Sequence, residues 1–430
     1  MTQASNPFAD ASRFPMVREV PYIGVAWTVD QASKKGYRGG AADWVNFGQG
    51  QPEIGDIPGA PQRIRTAHAE PQDAEYGPIG GLLATREAVA DWVNRTWRRG
   101  KMPYTAENVS FAAGGRLALT RLFGIFRDGV RIGYRNPDYT TYEDYLYAQR
   151  GRCALVELRT RAEDGFLLEE SAFEAFLNDA RPDAFLMSNP CNPTGRAIGT
   201  AGLARMLAAC RRSGTLLAID EFYSNYVYNA DGTPAAAPLS ALAAVEDVNR
   251  DPLVVFDGLT KGFRYPGWRA GWAVGPKYLI EMINRAASAI DGGPSTLVQR
   301  AAIEALQPGR AEAETQATRA VFAEKRRRML EGLAELGIRP AAAPEGTFYV
   351  WGSLAALPDP INDADRLFER LLEKKMMIVP GHFFDIRPYR TRPVEEPMRA
   401  WARFSYGPSA AQLEEGLRRL GEVVREAKAG

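Results

Sequence analysis

Along the middle of the chain, short uninterrupted apolar runs alternate with stretches of helical periodicity. NVSFAA (108–113), DAFLMS (183–188), TLLAID (215–220) and LVVFDG (253–258) each read as a strand buried on both faces. Helical patterns stand before and between them. One covers Gly81 to Trp97, with Leu83, Ala84, Ala88, Val89 and Trp92 on one side. Another, RLALTRLFGIF, follows Gly114-Gly115, and a third runs around Leu203, Met206, Leu207 and Cys210. Strands alternating with helices predict an α/β fold with a mostly parallel sheet covered on both faces.

Outside this region the pattern changes. The first sixty residues (PYIGVAW, FGQGQPEIGDIPGAP) are rich in Gly, Pro and aromatics and read as an arm with loops. Residues 229–240 form a Pro/Ala-rich loop. From about Ala301 a long helix with a charged face leads to TFYVWGSL, a helix near 362–375, MMIVPG and a last helix from Ala410. This is an α+β tail. The expected division is an arm with a substrate-closing loop at 1–60 that packs with the small domain, a large domain at 61–300 and a small C-terminal domain at 301–430. A chain of 430 residues is long enough for two cores.

Composition narrows the class. A net charge of +1 gives no electrostatic case for nucleic acid or an anionic membrane, and no run is apolar enough to span a bilayer. The opening MTQASNPFADASRF lacks the pattern of a secretory signal. Cys153, Cys191 and Cys210 are widely spaced and read as reduced thiols of a cytoplasmic protein. With only His68 and His382 available, neither a histidine-based metal site nor a Ser-His-Asp centre is expected. EKRRR reads as solvated surface, whereas Arg387, Arg390 and Arg392 in a long polar loop are candidates to border a substrate.

The chemistry collects just past the carboxyl ends of the predicted strands, where open α/β sheets bind ligands. Gly114-Gly115-Arg116 follows the first strand, Asn189 and Asn192 the second, Asp220 and Tyr223 the third, and Lys261 the fourth. A glycine pair opening a helix offers amides to an anion, and Arg269 adds a bidentate contact. No Walker sequence and no G-x-G-x-x-G after a strand is present, so the phosphate is not on an ATP or dinucleotide scaffold. A buried lysine can bond an aldehyde, a carboxylate can hold a proton on a ring nitrogen, and Tyr223 and Asn192 can bond a phenolic oxygen. That set suits pyridoxal 5'-phosphate.

From about Gly48 to Gly407 the sequence resembles the class I/II aminotransferases, fold-type I enzymes that use this cofactor. NPCNPTG (189–195) resembles their N-P-x-N-P-T-G turn, DEFY (220–223) their D-x-x-Y element, and TKGFRYPGWRAGW (260–272) their S-K…G-x-R-x-G segment. The resemblance implies that Lys261 is the Schiff-base lysine and Asp220 the partner of the ring nitrogen. It places Asn192 and Tyr223 at the phenolic oxygen, and Arg269 with Thr260 at the phosphate. AAGGR (112–116) resembles the phosphate cup, Tyr139 the stacking aromatic, and Arg403 in ARFSYG the arginine that grips the substrate carboxylate. GQGQP (48–52) resembles the loop closing over that carboxylate, with Gly50 as the contact; Asn192 also borders the substrate. Tyr76 in EYGPIGG resembles the tyrosine that serves the neighbouring site of a homodimer.

Two departures stand out. Gly258 offers no hydroxyl where the family's S-x-S-K has one, and Arg116 stands where the cup usually has a small or hydroxyl residue. Arg116 either supplies the lost phosphate contact or points away. The expected reaction moves an amino group between an L-amino acid and a 2-oxo acid. The alternatives are an amino-acid lyase, cyclase or oxidase on the same scaffold, or a regulatory protein that retains the fold.

Overall fold

Residues 14–18, 20–391 and 398–429 are described by the computed structural model of the chain. After helix α1 (Gly24–Lys34) and strand β1 (Val45–Asn46) come α2 (Leu83–Trp97), β2 (Val109–Ala112), α3 (Gly115–Gly124), β3 (Arg131–Asn136) and α4 (Tyr142–Gln149). The chain continues through β4 (Ala154–Arg159), α5 (Glu170–Ala180), β5 (Ala184–Ser188), α6 (Thr200–Ser213), β6 (Leu216–Asp220), β7 (Leu253–Gly258) and β8 (Gly271–Val274). Then follow α7 (Lys277–Ile290), α8 (Thr296–Ala305), α9 (Arg310–Glu335), β9 (Arg339–Pro340), β10 (Tyr349–Ser353) and α10 (Ala364–Glu373). Last are β11 (Met376–Met377), β12 (Val379–Pro380), β13 (Trp401–Ser405) and α11 (Ala410–Ala429).

The large sheet has strand order β2-β8-β7-β6-β5-β3-β4. Only β8 runs antiparallel to its neighbours; the other pairs are parallel. Its strands read as continuous apolar runs because both faces are buried. Phe185, Met187, Leu217 and Val255 pack on one face, with α2, α5 and α6. Leu186, Ala218, Val254 and Phe256 pack on the other, with α3 and α7. The parallel crossovers leave the carboxyl ends of β5 and β6 at one edge, which is where the site forms.

A second, antiparallel sheet, β12-β13-β10-β9, has its own core under α9, α10 and α11. The segment expected to be an arm of loops holds a helix and packs on this second core. Residues 24–34 are helical, and Ala32, Trp44, Val45 and Phe47 are buried members of this second core. Phe47 packs so tightly on α11 that a Cβ at Gly416 would lie 2.2 Å from its ring. β1 also pairs parallel with β11. The apolar residues Ala302, Ala305, Leu306 and Ala311 join the large core instead, and on α9 the buried members of the second core start at Phe322. On α2 the buried side is Thr85, Val89, Trp92 and Val93, while Leu83 is 57% exposed.

Candidate active site

A cavity of about 520 Å³ opens between the carboxyl edge of the large sheet, β13 and the loop after β1. Lys261, three residues past β7, reaches into it. Its Nζ donates to the Gly50 carbonyl oxygen. Burial, then the Arg403 and Arg269 charges, draw its pKa down to about 7. A large share of this amine is therefore unprotonated near neutrality, the form a nucleophile needs.

Asp220 ends β6 as a buried carboxyl group. It accepts from the Tyr142 hydroxyl at 3.1 Å and from the Phe222 amide at 3.3 Å. Burial pushes its pKa up to about 7, so a cationic ring nitrogen placed against it would restore its charge. Asn192, in the turn after β5, accepts on Oδ1 from Arg403 Nη1 at 2.8 Å. That fixes its amide with Nδ2 as the remaining donor. Tyr223, buried beside it in the lining, has its hydroxyl 2.6 Å from that of Tyr349.

The glycine pair before α3 is needed for close approach. Gly114 has φ 92°, and a Cβ there would lie 2.5 Å from Arg269 Nη2. A Cβ on Gly115 would lie 2.3 Å from the Phe222 ring. Arg269 itself is left-handed (φ 54°) and donates to the Pro266 carbonyl at 3.1 Å. Thr260 Oγ1 is buried with no hydrogen-bond partner among the described residues. Gly115, Thr260 and the remaining nitrogens of Arg269 thus face one end of the cavity, whereas Gly114 is not in its lining and spends its amide on the Ala112 carbonyl at 2.7 Å.

Arg116 turns toward the aromatic wall, donating to the Tyr139 hydroxyl at 3.3 Å. Gly258 is explained by packing: any Cβ there would lie 2.4 Å from the Ala270 carbonyl oxygen. Arg403, on β13, is buried, donates to the Gly48 carbonyl at 2.6 Å, and lies 4.0 Å over the Tyr349 ring. Its neighbour Arg399 is instead paired with Asp363 at 2.7 Å.

Tyr76 is fully exposed and not among the residues lining its own chain's cavity. One expectation meets a different picture: Arg387 and Arg390 do not line the cavity, and they pair with Asp385 and Asp144, each at 2.7 Å. Arg392 lies outside the described residues. With Gly258 set by packing and these two arginines held by carboxylates, the features that left a lyase, cyclase or oxidase open no longer favour them.

Several residues in or behind the lining were not anticipated. Tyr142 holds Asp220, and Tyr349 links Tyr223 to Arg403. Asn46 Oδ1 accepts from the Gly48 and Gln49 amides, so its Nδ2 donates to Gln49 Oε1, and Gln49 Nε2 to Gln51 Oε1. This amide chain leaves Gln51 Nε2 as a neutral donor at the cavity wall. A residue-type pattern does not reveal such contacts; they depend on loop shape and strand register.

A half-buried lysine reaching into the cavity, a buried carboxyl group and an anion cup at the edge of a parallel sheet define a pyridoxal-phosphate enzyme of fold type I. Residues 42–420 match the family model "Aminotransferase class I and II", and the chain belongs to this family. A probable aspartate/prephenate aminotransferase of Aquifex aeolicus is 25% identical, over 97% of this chain and 98% of its own. A valine–pyruvate aminotransferase of Mycobacterium tuberculosis is 28% identical over 88% and 90%. In structure, an aspartate aminotransferase from Thermus thermophilus crystallised with maleate superimposes with a TM-score of 0.74. It is 24% identical and covers 98% of this chain and all of that one. The protein is a pyridoxal-phosphate-dependent aminotransferase. The unpartnered Thr260 hydroxyl, the cup that a Cβ would fill, and Lys261 and Asp220 with their displaced pKa values fit that cofactor.

Proposed function

We propose that the enzyme moves an amino group between an L-amino acid and a 2-oxo acid, with Lys261 as both cofactor anchor and proton carrier. One observation carries the reading: Lys261 Nζ sits in the cavity with its pKa drawn to about 7, between Asp220 and Arg403. Bound there, pyridoxal phosphate supplies an aldehyde carbon that bonds amines and a ring that accepts electrons. Gly114, Gly115, Thr260 and Arg269 would hold its phosphate. Asp220 would keep a proton on its ring nitrogen, Asn192 and Tyr223 would donate to its phenolic oxygen, and Tyr139 would cover one face. Arg116, hydrogen-bonded to the Tyr139 hydroxyl, would steady that cover. Arg403 takes the α-carboxylate, and the Gly50 loop closes over it. As a free amine, Lys261 Nζ would take the proton from the donor Cα in one half-reaction and deliver one to the corresponding carbon of the acceptor in the other.

The same reading makes the protein a cytoplasmic homodimer in which Tyr76, exposed on its own chain, serves the neighbouring site. Three buried free thiols fit a reducing compartment. Among the described residues no helix is long and apolar enough to cross a membrane. The proposed division is 1–60, 61–300 and 301–430; the two cores support a large and a small unit, with residues 32–47 on the small one and Ala302–Ala311 on the large one.

The test is a single-turnover screen of L-amino acids without acceptor. One of them should yield its 2-oxo acid stoichiometrically while the cofactor absorbance changes. Ammonia or peroxide accumulating over many turnovers would overturn the reading. Lys261→Ala should lower turnover by at least about 10²–10⁴-fold, the range of a positioned proton carrier.

A further inference from the structure

Tyr349 lies in none of the segments that carry the family resemblance, yet it touches three parts of the site. It is fully buried on β10, with Tyr349 opposite Ser405 in the register, so Arg403 is its diagonal neighbour on the same face. That register sets the guanidinium 4.0 Å above its ring. Its hydroxyl meets that of Tyr223 at 2.6 Å. It also fills the space beside the closing loop, for a Cβ at Gly50 would lie 2.6 Å from the Tyr349 oxygen. The next contacts of that Cβ are ordinary, at 3.6 Å to Lys261 Nζ and 3.8 Å to the Tyr223 oxygen.

The hydrogen bond between the two hydroxyls has a direction. If Tyr223 donated to Tyr349, Tyr223 would present only lone pairs to the cavity. If Tyr349 donates, the Tyr223 proton is free for an anionic oxygen, and its donation is strengthened by the bond it accepts. Among the described residues, the Tyr349 hydroxyl has no other hydrogen-bond partner. An anion at the Tyr223 position therefore selects the second arrangement.

We propose that Tyr349 is a positioning residue of this site: its hydroxyl orients the Tyr223 proton, its ring supports Arg403, and its bulk is the reason position 50 is glycine. This rests on the reading that Tyr223 donates to the cofactor's phenolic oxygen and Arg403 binds the substrate carboxylate. A weaker Tyr223 donor leaves more negative charge on that oxygen. The adjoining nitrogen then keeps its proton to higher pH.

The test uses the cofactor-loaded enzyme. In Tyr349→Phe, the pH midpoint of the visible absorbance change, without substrate, should shift upward by roughly 0.1–0.7 unit. KM for the amino acid should change less than kcat, because the ring under Arg403 remains. Gly50→Ala alone should be severely impaired, and adding Tyr349→Phe should restore part of its activity by removing the one contact below 3 Å. An unmoved midpoint, or a double variant no better than Gly50→Ala, would overturn the proposal. Tyr223→Phe separates the two levels. If it moves the midpoint and Tyr349→Phe does not, only this inference falls; if it too leaves the midpoint in place, the reading of Tyr223 falls with it.

Discussion

Arg269 stands at one end of the cavity in a left-handed backbone conformation, lodged against Gly114, with the Pro266 carbonyl as its hydrogen-bond acceptor. Arg403 stands at the other end, buried, stacked between Tyr349 and Phe384, and bonded to Asn192 and Gly48. The first is positioned by the chain around it and keeps most of its donors for a ligand. The second is positioned by residues from four distant segments, and its protein partners already occupy two nitrogens, leaving Nε unpartnered. A local mount suits a group that stays bound through every turnover. A mount assembled from separate loops and strands suits a group that arrives and leaves, and through the Gly48 carbonyl it ties Arg403 to the loop that also holds Gly50.

The sharpest way to break this contrast is to remove each arginine in turn. Arg403→Ala should cost about 30- to 5,000-fold in kcat/KM, since truncating one side of a buried charged hydrogen-bond set costs about 2–5 kcal/mol. Cofactor content, read from the visible absorbance, should stay near that of the parent enzyme. Equal loss of cofactor and turnover would mean that the two ends are not separate.

Arg269→Ala should show the reverse. Losing a charge-assisted contact of about 1.5–3 kcal/mol weakens cofactor affinity by about 10- to 150-fold, while kcat at saturating cofactor changes far less. Gly114→Ala should mimic it, because the new methyl meets both a positive φ and the Arg269 guanidinium. A titration of cofactor-free protein with pyridoxal phosphate measures both.

The same contrast decides what the sequence revealed. Asn192, Asp220, Lys261 and Arg269 follow short apolar runs, so the chemistry and the strand that carries it stand side by side in the chain. Arg403 was reachable only through a family resemblance, and Tyr349 not at all, because its role depends on the β10–β13 register. β3 was missed for a related reason. RIGYRN does not look buried, but Arg135 is neutralised by Asp138 at 2.8 Å, a contact created by the turn after the strand. The arginine-rich loop was read as a substrate border because Asp144, which pairs with Arg390, lies far away in sequence. Trp44 and Phe47 looked like loop aromatics until the second core supplied their neighbours.

The smallest predicted effect separates the arginines by their fields rather than their contacts. Lys261 has a pKa of about 7 in the folded chain against an ordinary 10.5, and after burial the Arg403 charge contributes more to that lowering than Arg269. Between these two values the unfolded chain binds a proton that the folded chain does not. The stability Lys261 contributes is therefore complete above 10.5 and is lost as pH falls through 7. In cofactor-free protein, Arg403→Ala should raise the Lys261 pKa more than Arg269→Ala does. The pH dependence of labelling by an amine-directed reagent reads this directly. Asp220, Glu221 and Asp257, raised by burial to about 7, 8 and 8, act with the opposite sign: their contribution is lost as pH rises through those values. The background from Glu221 and Asp257 lies in both variants, so comparing the two with each other isolates the lysine. If Arg269→Ala moved the labelling curve further, the carboxylate end would not be the one that tunes the reactive amine, and the division of labour between the two arginines would have to be redrawn.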